Sequence, residues 1–277
     1  MPVCPYCGKD VGIFRSYHPE CRRKHDWACI EIRAAVLHAV TADVDIDEGR
    51  ERVLQLAVEN HVGAESRIAA LRQGWADAVE RLLDDSVLTR GEEERLMSVR
   101  RNLLSDDTEL EHTREYLRVV KAGLLRDLFE GQISRRMVVE GPLPFQFQKN
   151  ETLVWLFNSA RYWEERIQRT YVGGSSGVSI RIARGVYYRT AGFRGNPVET
   201  RSLVEIGVGS LAVTTKRLYF ASQAKSFRVA YSRVVAWEAY EDGIGLWRDV
   251  ANAKQQVFVT GDGWFTYNLV RNLAEQG

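Results

Sequence analysis

The 277-residue sequence lacks several features that would assign it quickly to a class of protein. It has no apolar run approaching the roughly 20 residues that a membrane-spanning helix needs, because even the stretch 30–40 is broken by charged and polar residues. Its first residues show neither the basic nor the apolar segment of a secretory signal. Its net charge of +1 is too small to indicate nucleic-acid binding by itself. We therefore expect a globular protein located in the cytoplasm.

Catalytic motifs are missing as well. The chain has five histidines, but no G-x-S-x-G, no H-E-x-x-H and no H-x-E followed by P-C-x-x-C. Glu164 and Glu165 are adjacent, yet neighbours on a strand point to opposite faces and cannot share a substrate. The phosphate-binding patterns G-x-x-x-x-G-K-[ST] and G-x-G-x-x-G are also missing. The sequence therefore predicts a protein that is not an enzyme.

Cysteine is confined to the first 30 residues, where Cys4 and Cys7 form a C-x-x-C pair. In a protein without an export signal, such clustering favours metal ligation over disulfides. His18 and Cys21 supply a second pair at a helix start, where Pro19 suits the first helical position. Four such ligands in two pairs are typical of a closed, structural zinc site. The sequence therefore predicts a structural Zn²⁺ bound by Cys4, Cys7, His18 and Cys21.

Two neighbouring residues leave the ligand set open. His25 is an alternative fourth ligand, and we favour His18 because it lies three residues before Cys21, on the same face of the helix start. Cys29 is expected to be a small core residue. The pattern resembles short zinc-ribbon or treble-clef fingers that precede bacterial interaction domains. The basic residues 22–24 are expected on a solvated helix face, with phosphate contact as the alternative.

The region 26–132 is acidic and helical in pattern. Its segment 31–130 carries 22 acidic against 14 basic side chains, whereas 151–277 carries 11 against 16. Apolar residues at three- and four-residue steps predict five short helices in a small bundle. The expected N-terminal caps are Asp45 or Asp47 for the second helix, Thr89 with Glu92 for the fourth, and Thr108 with Glu111 for the fifth.

The turn at 84–93 reads DDSVLTRGEE, an acidic pair and a small apolar step before a Glu-rich helix start. It resembles the inter-helix turn of the tellurite-resistance TerB-like helical domains. That resemblance implies a scaffold or docking role and a setting in a bacterial stress or phage response.

After residue 132 the pattern changes to a linker at 133–149, marked by Gly-Pro-Leu-Pro, and then to β-type segments. An amphipathic helix closes the chain, with Asp262 as its expected cap and an apolar stripe through Phe265, Leu269, Val270 and Leu273. The expected strands are 153–157, 162–171, 178–184, 186–191, 211–214, 217–221, 227–231, 234–240, 243–247 and 256–260.

The segment 209–220 reads GSLAVTTKRLYF. It is similar to the hairpin of GRAM and bacterial pleckstrin-homology-like domains, and the likeness extends over 150–277. The resemblance implies a β-barrel or sandwich capped by the C-terminal helix, in a family whose members bind phosphoinositides or proteins. We expect Leu218 and Phe220 to point into the barrel. The overall prediction is an α+β protein with a zinc finger at 1–25, a TerB-like bundle at 26–132, a linker at 133–149 and the β domain at 150–277.

Basic side chains lie on or beside the predicted strands, and a Gly-rich loop occupies 173–177. Such a loop beside arginines can cradle an anion. The alternative, which we favour, is that the arginines keep strand edges soluble. The candidate anion- or lipid-binding residues are Arg181, Arg184, Lys216, Arg217, Lys225 and Arg228.

These features together predict a non-enzymatic, zinc-containing adaptor that acts through protein partners. The first alternative is a peripheral membrane protein that binds anionic lipid through the β domain. The second is a nucleic-acid-binding protein that uses the zinc finger. A homo-oligomer is also open, since Trp237, Trp247 and Trp264 suit either a core or an interface.

Overall fold

The computed structural model describes residues 2–42, 45–84, 87–105, 107, 109–137, 139, 141–170, 180–183, 186–188, 198–251 and 253–276. At 167–170, 180–183, 186–188 and 198–200 it describes the backbone alone. The fold is α+β and comprises two compact units, Met1–Arg126 and Asp127–Gly277. The division between them falls within the fifth α-helix.

The first unit is helical after its N-terminal loop. In its described residues the helices are α1 Pro19–Thr41, α2 Ile46–Glu59, α3 Ala64–Leu82, α4 Arg90–Leu103, a 3-10 turn at Leu110–His112, and α5 Arg114–Phe129. As expected, α1 begins at Pro19, whose missing N–H costs nothing at a helix start. Among the described residues, no helix combines the length and apolar character that a membrane span requires.

Two of the predicted N-terminal caps are confirmed. The Asp45 carboxylate accepts a hydrogen bond from the backbone N–H of Asp47 at 3.0 Å. Thr89 and Glu92 form the reciprocal capping box of α4, in which each side chain accepts from the other residue's backbone N–H. These side chains satisfy N–H groups that have no partner inside their own helix.

The expected cap of the fifth helix is wrong. The 3-10 turn Leu110–His112 intervenes, and α5 begins only at Arg114. The hydroxyl of Thr113 accepts a hydrogen bond from the backbone N–H of Tyr116 at 3.2 Å and so serves as the cap. Thr108, the residue expected in this role, lies outside the described residues.

The bundle core forms where α1 packs against α2, α3 and α4. The helical spacing of its apolar residues puts one stripe of α1 inside: Ala28, Ile32, Val36, Ala39 and Val40. The facing buried residues of α3 include Leu71, Trp75, Ala78 and Val79. Trp75 also donates its indole N–H to the carbonyl oxygen of Leu96 at 3.1 Å, which ties α3 to α4 without leaving a buried donor unpaired.

Gly74 marks the closest approach between α1 and α3. A Cβ atom at this position would lie 2.5 Å from the carbonyl oxygen of Arg33 and 2.8 Å from the Cβ of Val36. Both distances are too short for a carbon atom in a packed interior. The crossing of the two helices therefore requires glycine here.

We expect Gly74→Ala to destabilise the protein although alanine is the better helix former. The helical preference gains about 1 kcal/mol, but overpacking against a backbone carbonyl costs about 1–3 kcal/mol and forces the helices apart. Thermal unfolding followed by the helical circular dichroism signal measures the difference.

Gly91 provides the matched control. It lies in the first turn of α4, and no atom lies within 4 Å of the Cβ that alanine would add. Gly91→Ala should raise the melting temperature or leave it unchanged. If Gly74→Ala were as stable as Gly91→Ala, the close approach would not constrain the bundle.

The second unit contains a curled antiparallel sheet and one further helix. In its described residues the elements are β1 Leu153–Thr170, β2 Ile180–Ala183, β3 Val186–Tyr188, β4 Val198–Thr214, β5 Arg217–Ser222, β6 Ser226–Ala230, β7 Val234–Ala239, β8 Gly243–Arg248, β9 Gln256–Val259 and α6 Gly263–Gln276. The strand order of the main sheet is β6-β5-β4-β1-β9-β8-β7, and β2 pairs only with β3 among the described strands.

The segments 153–157 and 162–171, expected as two strands, belong to the single strand β1 as far as Thr170. Three register irregularities, after Leu153, Phe157 and Tyr162, interrupt its pairing with β4. Bulges of this kind bend a strand without ending it. The residues between the two expected segments therefore continue the strand.

One face of the sheet forms an aromatic core. Tyr162, Phe220, Phe227 and Phe258 pack with ring centroids 4.9–6.1 Å apart. Leu218 and Phe220 are buried, as predicted. The predicted apolar stripe of α6 is buried as well, and Phe265 meets Trp155 edge to face at 4.9 Å. Asp262 caps α6 by accepting from the backbone N–H of Phe265 at 3.1 Å.

A second cluster lies on Leu156, Ala212 and Tyr219. It is covered by apolar residues from the segment for which the sequence predicts a linker: Met137, Val139, Leu143, Phe145 and Phe147. Phe147 meets the ring of Tyr219 edge to face at 5.2 Å. This segment therefore contributes to the packing of the second unit.

Candidate functional site

The N-terminal loop is built around the C-x-x-C pair. The backbone N–H of Gly8 donates to the carbonyl oxygen of Cys4 at 2.9 Å, and that of Cys4 donates to Lys9 at 2.8 Å. Gly8 adopts a φ angle of 72°, which other residues rarely tolerate. The tight turn brings the two cysteine side chains to the same side of the loop.

The structure brings Cys4, Cys7, His18 and Cys21 together. Their candidate ligand atoms all lie within 4.8 Å of one another. The Nδ1 atom of His18 is 3.4 Å from the Sγ of Cys7 and 3.9 Å from the Sγ of Cys21. Cys4 is only 1% exposed, so one wall of the cluster is shielded from water. The four residues can hold a metal ion.

The protonation of His18 suits this role. Its Nε2 lies 3.1 Å from the carbonyl oxygen of Asp10, and because a carbonyl only accepts, Nε2 must carry the proton. In the tautomer with its proton on Nε2, the ring presents the lone pair of Nδ1 to the three sulfur atoms. Orientation of a histidine ligand by a hydrogen bond at its other nitrogen is usual in metal sites.

The electrostatics of the cluster are unfavourable without a cation. Burial opposes ionisation of Cys4, but the backbone N–H groups of His18, Cys7 and Tyr6 outweigh burial and lower its pKa to about 6. Burial and the adjacent sulfur of Cys7 raise the pKa of Cys21 to about 11. Thiolates at this separation repel one another, and a divalent cation removes that repulsion.

The alternative ligand His25 lies outside the cluster of four. Its ring lies tilted by 48° against that of Tyr6 with centroids 4.8 Å apart, and its Nδ1 contacts the carboxylate of Asp26 at 3.2 Å. Cys29, one turn further along α1, is partly buried against the bundle core, consistent with the small core residue that was expected.

Two of the three basic residues that follow the cluster, Arg22 and Arg23, have acidic partners on the surface of α1. Arg22 contacts Asp26 at 3.6 Å and donates to the hydroxyl of Tyr17 at 2.7 Å. Arg23 contacts Glu20 at 3.4 Å. This arrangement matches the solvated helix face that we favoured.

Arg217, a candidate for binding an external anion, is paired inside its own unit. It donates to Glu151, whose side chain is 0% exposed. Burial alone would raise the pKa of that carboxyl group. Hydrogen bonds from Tyr219, at 2.6 Å, from Arg217 and from the backbone N–H of Gln148 reverse the effect and lower it.

Lys225 is also paired. Its ammonium group lies 3.0 Å from both carboxylate oxygens of Glu164, and 5.4 Å from the ring centroid of Tyr162. The sequence gives no sign of either pairing, because 66 residues separate Arg217 from Glu151 and 61 separate Lys225 from Glu164.

The remaining candidates divide into two groups. Lys216 is exposed in the turn between β4 and β5, and Arg228 is exposed on β6. Arg181 lies on β2, where the backbone alone is described, and Arg184 and the Gly-rich loop 173–177 lie outside the described residues. Of the four candidates whose side chains are described, two are thus paired with carboxylates of their own unit and two are exposed.

Comparison with known proteins does not assign the chain to a family. No protein-family model matches it, and no curated protein matches it.

We expect His18→Ala to abolish stoichiometric metal binding, because it removes the only nitrogen donor of the four-residue cluster. His25→Ala should retain one metal ion per chain. Loading each protein with Zn²⁺, followed by buffer exchange and elemental analysis, measures the difference. The loss in affinity should exceed the roughly 10–100-fold that removal of a supporting hydrogen-bond partner costs. Equal metal content in the two variants would contradict the assignment of His18.

We expect Arg217→Met to destabilise the second unit by about 3–5 kcal/mol at pH 7, because it leaves the buried Glu151 carboxylate without its cation. The folded-state pKa of Glu151 lies below its unfolded value. The stability that the pair supplies is therefore present above the ordinary glutamate pKa and is lost as the pH falls through the lowered value. Urea unfolding at pH 7 and at stepwise lower pH values measures this dependence.

Two comparisons make this experiment specific. Arg228→Met removes an exposed arginine from β6 and should change stability by no more than about 0.5 kcal/mol. Arg217→Met combined with Glu151→Gln should recover part of the loss, since the uncompensated charge is gone. A deficit for Arg217→Met that is independent of pH would show that packing alone matters.

Proposed function

We propose that this protein is a non-enzymatic, zinc-containing adaptor that binds a partner protein through the edge strand β7. The observation that carries the proposal is the exposure of this strand. Val235 is 63% exposed, and four of the six residues of β7 are exposed, including the adjacent pair Val235 and Ala236. The pairing of β7 with β8 is irregular between Val234 and Ala236, so Val235 lies at a bulge. From Ala236 to Ala239 the pairing is regular, and because Ala236 and Ala239 point to opposite faces and are both exposed, neither face of this part is fully covered.

The backbone of β7 has only one neighbour among the described strands, β8. An antiparallel edge strand directs every second pair of N–H and C=O groups away from that neighbour. An extended segment of another protein can pair with these groups and place its apolar side chains beside Val235. The occupant we propose is therefore a partner's β-strand.

The two edge strands of the sheet, β6 and β7, differ in how they are protected against the addition of another strand. At the β6 edge Arg228 lies exposed within the strand. Charged side chains of this kind discourage strand addition. The only charged residue of β7 is Glu238, which accepts hydrogen bonds from Tyr240 at 2.5 Å and Gln255 at 2.8 Å. This difference favours β7 over β6 as the binding edge.

We propose Zn²⁺ as the metal of the N-terminal cluster. Three sulfur donors and one imidazole nitrogen are a donor set that zinc prefers, and four protein ligands leave no open position for a reacting molecule. The ion would join the N-terminal loop to the first turn of α1, because Cys4 and Cys7 lie on the loop and Cys21 lies on the helix. Its role is structural.

The identity of the two larger modules is part of the proposal. A pleckstrin-homology-like character of the second unit is supported by its curled antiparallel sheet and by α6, whose apolar stripe packs against that sheet. A TerB-like character of the helical unit is supported by the capping box of Thr89 and Glu92 within the motif 84–93. The stress- or phage-response setting and the cytoplasmic location belong to the same proposal.

Anionic lipid is the less favoured ligand of the second unit. Arg217 and Lys225 are held by Glu151 and Glu164, so their charge is already largely compensated. A headgroup would have to compete with carboxylates at hydrogen-bonding distance, one of them buried. Internal pairing of these cations therefore favours a protein partner.

We expect Val235→Lys to abolish partner binding, because a lysine on an edge strand blocks strand addition. The intact chain with a photo-reactive residue at position 235 is used to recover and identify the crosslinked partner from a native lysate. The affinity of the purified pair is then measured for the wild type and for Val235→Lys. A weakening of at least tenfold, or about 1.4 kcal/mol, is expected.

Val208→Lys is the matched control, because Val208 is a similarly exposed valine, at 51%, on β4, which is an interior strand of the sheet. It should bind the partner within about twofold of the wild type, a difference of roughly 0.4 kcal/mol. Equal weakening by both substitutions, or crosslinks that map away from β7, would overturn the proposed edge contact.

A further inference from the structure

The strands β1 and β4 continue well beyond the part of the sheet in which they have other neighbours. β9 pairs with β1 only from Arg161 to Glu164, and β5 pairs with β4 only from Gly209 to Val213. The β1–β4 register then continues through five further pairs, from Arg166 opposite Ser202 to Thr170 opposite Val198. Among the described strands these five pairs have only each other as neighbours.

The result is a two-stranded ribbon formed by residues 166–170 and 198–202. At about 3.4 Å per residue its described part is roughly 17 Å long. The short hairpin of β2 and β3 belongs to the chain between its two strands. An isolated ribbon of this kind buries little apolar surface, so the fold of the unit does not require it.

The charge of this part of the chain differs from that of the rest. Residues 166–201 contain seven arginines, one glutamate, no lysine and no aspartate, in a protein whose net charge is only +1. Four of the arginines lie on described strands: Arg166, Arg169, Arg181 and Arg201. Arg166 is exposed, and Arg201 is exposed with a contact of 3.8 Å to Glu165.

We propose that the ribbon formed by residues 166–170 and 198–202 binds duplex DNA, as a further function independent of the β7 contact. A two-stranded β-ribbon fits the major groove of B-form DNA, which is roughly 12 Å wide. Arginine in place of lysine suits phosphates and guanine edges, because its planar guanidinium forms paired hydrogen bonds. The concentrated positive charge supplies affinity for the phosphate backbone.

The geometry favours duplex DNA over two other polyanions. An A-form RNA helix has a deep, narrow major groove into which such a ribbon does not fit. A membrane surface would instead attract basic residues spread across the whole sheet. Two of the basic residues there, Arg217 and Lys225, are already paired with carboxylates, which speaks against a membrane as the partner. Residues 166–201, by contrast, hold seven of the 16 basic residues of 151–277, and Arg166 at the base of the ribbon is exposed.

The experiment uses the intact, zinc-loaded chain and a fluorescein-labelled 24-base-pair DNA duplex. Fluorescence anisotropy at 50–200 mM NaCl gives the dissociation constant and its salt dependence. The variant Arg166→Ala/Arg169→Ala/Arg201→Ala should bind at least tenfold more weakly than the wild type. The slope of log affinity against log salt should flatten by about 2–3, since each phosphate contact contributes about 0.9.

The control is Arg22→Ala/Arg23→Ala/Lys24→Ala, which removes the same number of charges from α1 and should bind within about threefold of the wild type, or roughly 0.7 kcal/mol. Loss of binding in this control and not in the ribbon variant would assign DNA binding to the finger and overturn the proposal. Absence of wild-type binding at 50 mM NaCl would also overturn it.

Two further probes test the chosen partner. A double-stranded RNA of the same length should bind less tightly than the DNA, and equal binding would contradict the groove interaction. Vesicles containing phosphatidylserine should bind no more strongly to the wild type than to the ribbon variant. Ribbon-dependent vesicle binding without duplex binding would identify a membrane as the partner instead.

Discussion

The main sheet of the second unit depends on the backbone hydrogen bonds that β1 makes along both of its edges. One edge pairs with β4, which continues into β5 and β6, and the other pairs with β9, which continues into β8 and β7. Without β1 the two halves share no ladder among the described strands. The side chains of the same strand then anchor both layers, because Trp155 contacts Phe265 of α6 and Leu156 lies beneath the segment 137–147. The length of β1 also creates the ribbon, which continues where its other neighbours end.

Charge pairing within this sheet decides which cations are available to an external partner. The side chain of Glu151 is fully buried and that of Glu164 is 19% exposed, and a carboxylate taken out of water needs a cation or several hydrogen-bond donors. Arg217 and Lys225 meet that need, and their removal would leave an uncompensated charge inside the unit. The first role of these two cations is therefore to stabilise the unit, before any contact with an external partner. Lys216, in the turn between β4 and β5, and Arg228, on β6, remain exposed, and the densest run of arginine in the unit is the stretch 166–201.

The features that could be predicted from the sequence are those with local causes. Helix starts are specified by contacts within four residues, at Pro19, Asp45, Thr89 and Asp262. The spacing of the cysteine and histidine pairs likewise predicted the four candidate ligands that the structure brings together. The features that were missed depend on distant residues. Nothing near Arg217 indicates Glu151, and nothing at 158–161 indicates that bulges carry β1 onward. The missed cap of the fifth helix is a case in between, because Thr108 and Thr113 offer the same hydroxyl group and the structure uses Thr113.

The helix α1 connects the metal cluster to the bundle without interruption. Cys21 lies in its first turn, whereas its buried residues begin at Ala28 and continue to Val40. The turns before Ala28 therefore have little core packing to keep them helical, and short helical segments without packing are only marginally stable in water. A metal ion bound both at Cys21 and at the loop cysteines would fix this end of the helix, because its bonds would tie the first turn of α1 to the N-terminal loop. Loss of the ion would then loosen the N-terminal loop and the first turns of α1, while the packed part from Ala28 onward would keep its fold.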